Sequence, residues 1–273
     1  MLFLSTRVLP RGGGVGRTVS IWDDHNQVRF LPDLMATIQG RDILLVTHGF
    51  SVDQLGGEAN LAGWASGLTL GNAVVLGILW PGDSRWIPKI DYVTEGNEAM
   101  ASGDLLADFI NRNFAGALSL SFASHSLGAR MILQTISGLS RDVRTLLLMA
   151  GAIDNTCLSS EYSRAAGKIK NISILSSRED EVLKWAFPVG NFVGGLLSRG
   201  TPYVHEALGR EGPGIPYSSN LLAGWQIQDI WQFGHGDYLP GAQLVPIPPV
   251  TDLLGPVPAV KAAWSAAFMS GRF

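Results

Sequence analysis

The chain has 273 residues, of which 46% are hydrophobic and 16% charged, with a formal net charge of −3. This composition fits a packed globule and excludes a disordered or low-complexity chain. So small a charge gives no electrostatic reason to expect nucleic acid or an anionic membrane as partner.

Residues 1 to about 40 are weakly patterned. Met1-Leu2-Phe3-Leu4 is too short for a signal h-region, and Arg7 and Arg11 follow it instead of preceding it. The glycine-rich stretch Arg11 to Arg17 fails as a phosphate loop, because that motif would need glycine at Arg11 and lysine at Arg17. It reads as a turn between early strands. Ile43 to Thr47 is a short continuous apolar run, the pattern of a strand buried on both faces of a parallel sheet. Asn60 to Leu68 reads as a helix. Ala73 to Leu79 is a second buried strand, closed by Trp80-Pro81-Gly82-Asp83. Glu95 to Phe114 is an amphipathic helix with Ala99, Leu106, Phe109, Ile110 and Phe114 near one face. Leu118 to Ala123 is a third strand, Leu127 to Leu139 a helix, Thr145 to Ala150 a fourth strand and Ile172 to Leu175 a fifth.

Short strands alternating with longer helical stretches predict βαβ units and a parallel sheet, with helices on both faces. Residues 183–222, rich in glycine and proline, break the alternation. They read as an irregular insertion with short helices over the site, a candidate lid. Residues 240–258 are proline-rich, and Val260 to Met269 reads as a closing helix. With no internal repeat or domain boundary visible, residues 1–273 are expected to form a single α/β domain. No stretch reaches the ~18 apolar residues of a membrane span, so a soluble, cytoplasmic protein is expected. The lone cysteine, Cys157, cannot form an internal disulfide and reads as a structural thiol.

The chemistry concentrates where Leu118 to Ala123 runs into Ser124-His125-Ser126-Leu127-Gly128 and a helix. A nucleophile elbow needs this strand–turn–helix context, with small residues two positions before and after the nucleophile. Ser124 and Gly128 occupy those positions, which makes Ser126 the candidate nucleophile. A helix cap is the plainer reading of the same serine. Two histidines follow it. His205 lies in a helical piece of the insertion, and His235 lies in the glycine-flanked loop Phe233-Gly234-His235-Gly236-Asp237. Asp180, in Ser177-Arg178-Glu179-Asp180-Glu181, and Asp154, after the fourth strand, compete as the acid.

Val46-Thr47-His48-Gly49-Phe50, Trp80-Pro81-Gly82, Ser124 to Arg130, Ser177-Arg178-Glu179-Asp180 and His235-Gly236-Asp237-Tyr238 together resemble the α/β-hydrolase superfamily, and within it bacterial hydrolase families of unknown function. The resemblance spans roughly residues 40 to 240. It implies an α/β-hydrolase fold and a cofactor-free, metal-free serine hydrolase. In the family's order of nucleophile, acid and histidine, Ser126, Asp180 and His235 form the triad. The backbone N–H groups of Phe50 and Leu127 would form the oxyanion hole. His48, Gly49 and His125 would line the substrate site, with His48 orienting the oxyanion loop. The expected reaction is hydrolysis of a carboxylic ester or thioester through an acyl-enzyme, with a small acyl ester as substrate. A non-catalytic scaffold on the same fold and an acyltransferase are the alternatives. An acidic nucleophile of the dehalogenase kind is excluded by serine at position 126.

Overall fold

Apolar runs without alternation form strands that are covered on both faces. In β4 (Asp42–Thr47), Ile43 and Leu45 face one hydrophobic cluster while Leu44 and Val46 face the other. β7 (Val143–Met149) divides in the same way, with Leu146 and Leu148 on one side and Leu147 and Met149 on the other. The sheet therefore lies between two layers. The computed structural model describes residues 1–8, 13–50, 52–66, 68, 73–83, 91–185, 206–214, 221–226 and 234–238.

The chain opens with β1 (Leu2–Arg7), β2 (Val15–Asp23) and β3 (Val28–Arg29), then α1 (Leu31–Ile38). After β4 come α2 (Gln54–Ser66), β5 (Val74–Leu79), α3 (Asp91–Asn113), β6 (Ser119–His125) and α4 (Gly128–Gly138). β7, α5 (Ser163–Lys168) and β8 (Ile169–Ser176) follow. A helical stretch at 181–185 (α6), α7 (Leu208–Glu211) and β9 (Leu221–Gln226) complete the described elements. Among the described residues the sheet has nine strands in the order β3-β2-β1-β5-β4-β6-β7-β8-β9. Every pairing from β1 to β9 is parallel, and β2 is antiparallel to both its neighbours. The fold is that of the α/β hydrolases, as expected.

The described residues among the first forty are more ordered than their weak pattern suggests. Phe3 and Leu4 are wholly buried in β1, which pairs with β5 in the sheet interior. The helices α2 and α3 begin earlier than the expected Asn60 and Glu95, and α1 and α5 were not anticipated. These helices are short, or open on glycine and polar residues that blur the apolar stripe.

The registers Thr47↔Ser124 and His125↔Met149 bring the ends of β4, β6 and β7 to one edge of the sheet. Ligands of open parallel sheets bind at that edge. Of the expected insertion, residues 206–214 are tied to the strand-end loops. The Leu208 N–H donates to the Ile153 carbonyl at 2.7 Å, and the Ser177 N–H donates to the Gly209 carbonyl at 2.9 Å. Residues 186–205 (His205 included) and 215–220 lie outside the described residues, as do 227–233 and 239–273, where the proline-rich stretch and the closing helix were expected. Among the described residues no helix is long and apolar enough to cross a membrane.

Candidate active site

β6 carries its ladder to His125, and the chain then turns sharply at Ser126. Ser126 has φ +53°, in the left-handed region that serine avoids. Such strain persists only where the surroundings hold it. The Ser126 N–H donates to the Met149 carbonyl at 2.9 Å, and the Ser126 carbonyl accepts from the N–H groups of Ala129 and Ala152, both at 3.1 Å. The small neighbours follow from crowding. A Cβ on Gly128 would lie 2.5 Å from the His48 carbonyl oxygen, and one on Gly49 would lie 2.8 Å from the Ser126 Cβ. Ser124 is buried, and its Oγ has no hydrogen-bond partner among the described residues.

The structure brings Ser126, His235 and Asp180 into one line. The Ser126 hydroxyl lies 2.7 Å from Nε2 of His235, and Nδ1 of His235 lies 2.7 Å from Oδ2 of Asp180. Asp180 is wholly buried. Its second oxygen accepts from the Leu183 N–H at 2.9 Å, so the carboxylate also caps the start of α6. Its neighbour Glu181 instead points outward to Lys184 and Trp185. Asp154 is engaged elsewhere, where its Oδ1 accepts from the N–H and the hydroxyl of Thr156 at 2.7 and 2.6 Å. Cys157 is buried, and burial pushes its thiol far up, away from the reactive thiolate.

Residues 24–247 match the family described as alpha/beta hydrolase of unknown function (DUF900). The chain belongs to that family. It is a hydrolase. Solved structures similar to it include esterase PE8, at 13% identity and a TM-score of 0.41 over 72% of this chain and 86% of that one. A thermophilic esterase from the Planctomycetes species Thermogutta terrifontis, with propionate bound, is similar at 10% identity and a TM-score of 0.41, covering 87% of this chain and 86% of that one. Esterase B from Lactobacillus rhamnosis is similar at 12% identity and a TM-score of 0.32, over 67% of each chain. No curated protein matches the chain.

The remaining expected site residues of this hydrolase lie around the elbow. Phe50 follows Gly49 in the loop after β4, and Leu127 follows Ser126. Among the described residues neither amide donates to a loop or turn backbone acceptor. His48 stacks flat on Trp80, with ring centroids 5.7 Å apart and planes 8° from parallel. Its Nδ1–H donates to the Gly49 carbonyl at 2.8 Å, and its Nε2 accepts from the Trp80 N–H at 3.3 Å. The Trp80 indole N–H donates back to the His48 carbonyl at 3.0 Å. Burial pushes the His48 imidazole down to about 4, so it is neutral and occupied by its own loop. His125, expected to touch substrate, donates Nε2–H to the His235 carbonyl at 2.7 Å.

One residue escaped the sequence reading. Arg7, at the end of β1, is buried. Its guanidinium pairs with Asp83 at 2.5 Å and donates to the Val52 carbonyl at 2.8 Å. Val52 in turn bridges Gly82. The loop after β4 is thus held at both ends, by Trp80 beneath His48 and by Arg7 beneath Val52. Trp80-Pro81-Gly82 stands out in the sequence, but a single arginine after Ser5-Thr6 carries no such signal. Among the described residues no group of three or more His, Cys, Asp or Glu side chains is arranged to hold a metal ion.

Proposed function

We propose that this hydrolase cleaves carboxylic esters or thioesters through an acyl-enzyme on Ser126, with His235 as base and Asp180 as the acid that orients it. The observation that carries the reading is the unbroken line Ser126 Oγ to His235 Nε2 and His235 Nδ1 to Asp180 Oδ2, each 2.7 Å, on a strained elbow. His235 takes the Ser126 proton as Oγ attacks the acyl carbon. The oxyanion accepts hydrogen bonds from the N–H groups of Phe50 and Leu127. The imidazolium returns its proton to the leaving alkoxide or thiolate. Water, deprotonated by His235, then releases the acid and restores Ser126. Asp180, buried and bonded to Nδ1, keeps the proton on that nitrogen, so Nε2 is the basic one.

An apolar acyl or alcohol part is supported by Phe50, Leu55, Val182 and Trp185. These four expose large hydrophobic surface on segments that leave β4 and β8 at the elbow's edge of the sheet. A single cysteine and no disulfide among the described residues fit a cytoplasmic enzyme.

The test is covalent labelling by a fluorophosphonate. Labelling of the folded wild type is expected, absent in Ser126→Ala and strongly reduced in His235→Ala. An unlabelled, folded wild type, or a Ser126→Ala variant that still labels, would sink the reading. Labelling would lead to an ester and thioester panel of graded chain length, with longer acyl chains expected to give the higher kcat/KM.

A further inference from the structure

We infer that His125 is a positioning residue for the base: its imidazole latches the main chain of His235 to the elbow, and its task is to keep Nε2 of His235 over Ser126. The inference rests on the triad reading above.

The segment 234–238 is not a strand and has no ladder to fix it. Its own turn is closed internally, because the Gly234 N–H donates to the Asp237 carboxylate at 2.5 Å and the Asp237 N–H donates to the Gly234 carbonyl at 3.2 Å. Tyr238 buries its side chain in the cluster with Leu147, Met149 and Leu175. The contact between the His235 backbone and the elbow is the 2.7 Å bond from His125 Nε2–H. His125 is the last residue of β6 and the neighbour of Ser126 in sequence, so a single rigid strand end carries both the nucleophile and the latch. The two histidine rings lie 5.0 Å apart between centroids, which places the latch beside the imidazole it serves.

The chemistry of the contact is specific. A neutral imidazole has one N–H and one lone-pair nitrogen. A carbonyl can only accept, so the N–H of His125 sits on Nε2. Burial, together with the proximity of His235, pushes His125 down to about 4, so the ring stays neutral beside the imidazolium that forms on His235 during turnover. A displacement of about 1 Å in a reacting group can cost on the order of 100-fold in rate. Loss of the latch therefore acts on kcat, and substrate binding is left intact.

The experiment uses the full chain and three substitutions, with p-nitrophenyl butyrate turnover and fluorophosphonate labelling rate as readouts and near-ultraviolet circular dichroism as the check on folding. The amide nitrogen of glutamine reaches where Nε2 of histidine lies, whereas that of asparagine stops near Nδ1. His125→Gln is expected to keep kcat within a few-fold of wild type. His125→Asn and His125→Leu are expected to lower kcat and the labelling rate about 10- to 100-fold with KM little changed. Should His125→Leu fail to fold, the contrast between asparagine and glutamine decides, since both are polar amides of similar size. Equal activity of those two variants, or a rise in KM at unchanged kcat, would overturn the latch. Ser126→Ala is run alongside. Residual labelling there removes the triad reading itself, whereas loss of labelling there with an active His125→Asn removes the latch alone.

Discussion

The two loops that face Ser126 are held in different ways. The loop after β4, with Phe50 at its tip, is fixed by the body of the protein. Trp80 stacks on His48, the Trp80 indole bonds the His48 carbonyl, and the buried Arg7, paired with Asp83, reaches Val52. None of these groups takes part in the proposed chemistry. The His235 segment is anchored in the core by Tyr238, but His235 itself is held by the partners with which the base works, namely Ser126, Asp180 and the elbow residue His125. The difference follows from the tasks. An oxyanion hole gains from donors that are fixed before the reaction and do not reorganise during it. A base must receive a proton, reverse and donate it, and contacts to its reaction partners keep it aligned at each stage.

The largest effect is expected at Asp180. Asparagine at this position keeps an oxygen for the Leu183 N–H, so α6 stays capped, but it can present its N–H₂ to His235 and favour the wrong tautomer. Asp180→Asn is expected to lower kcat by about 10⁴-fold with little loss of stability. A rate within tenfold of wild type would show that the imidazole is oriented mainly by other contacts.

Next in size is Arg7→Met, which leaves Asp83 short of its buried partner. Breaking a buried pair costs about 3–5 kcal/mol, readable by urea unfolding. The double variant Arg7→Met, Asp83→Asn is expected to recover part of that loss. An unchanged unfolding midpoint in the single variant would show that Arg7 does not clamp the loop after β4.

The smallest effect per group is a pH dependence shared by the two sides. His48 and His125 are both pushed down to about 4 by burial, while the unfolded chain titrates near the ordinary value of about 6.5. Between those values the unfolded state takes up protons that the folded state refuses. Stability is therefore complete above about pH 6.5 and falls as the pH is lowered toward 4, by on the order of 3 kcal/mol per imidazole. Thermal unfolding from pH 7.5 to 4.5 should show the decline, and His48→Gln or His125→Gln should each flatten it by about half. A profile that keeps its slope in both variants would assign the acid sensitivity to other groups.

The apolar runs at Ile43 to Thr47 and Ala73 to Leu79 determined by themselves that the chain folds as a parallel α/β sheet, because only strands covered on both faces tolerate such runs. The motif from Ser124 to Gly128 located the elbow, since its small residues answer a local crowding visible in the pattern. Local rules reach that far. The packing of β1 beside β5, the buried Arg7 beneath Val52 and the Nε2–H of His125 on the His235 carbonyl join residues 45 to 110 positions apart. Such partners carry no mark in their own neighbourhoods. Only the tertiary structure decided that the Nε2–H of His125 meets the His235 carbonyl, because a side chain's donor goes to whichever acceptor the fold brings within 3 Å.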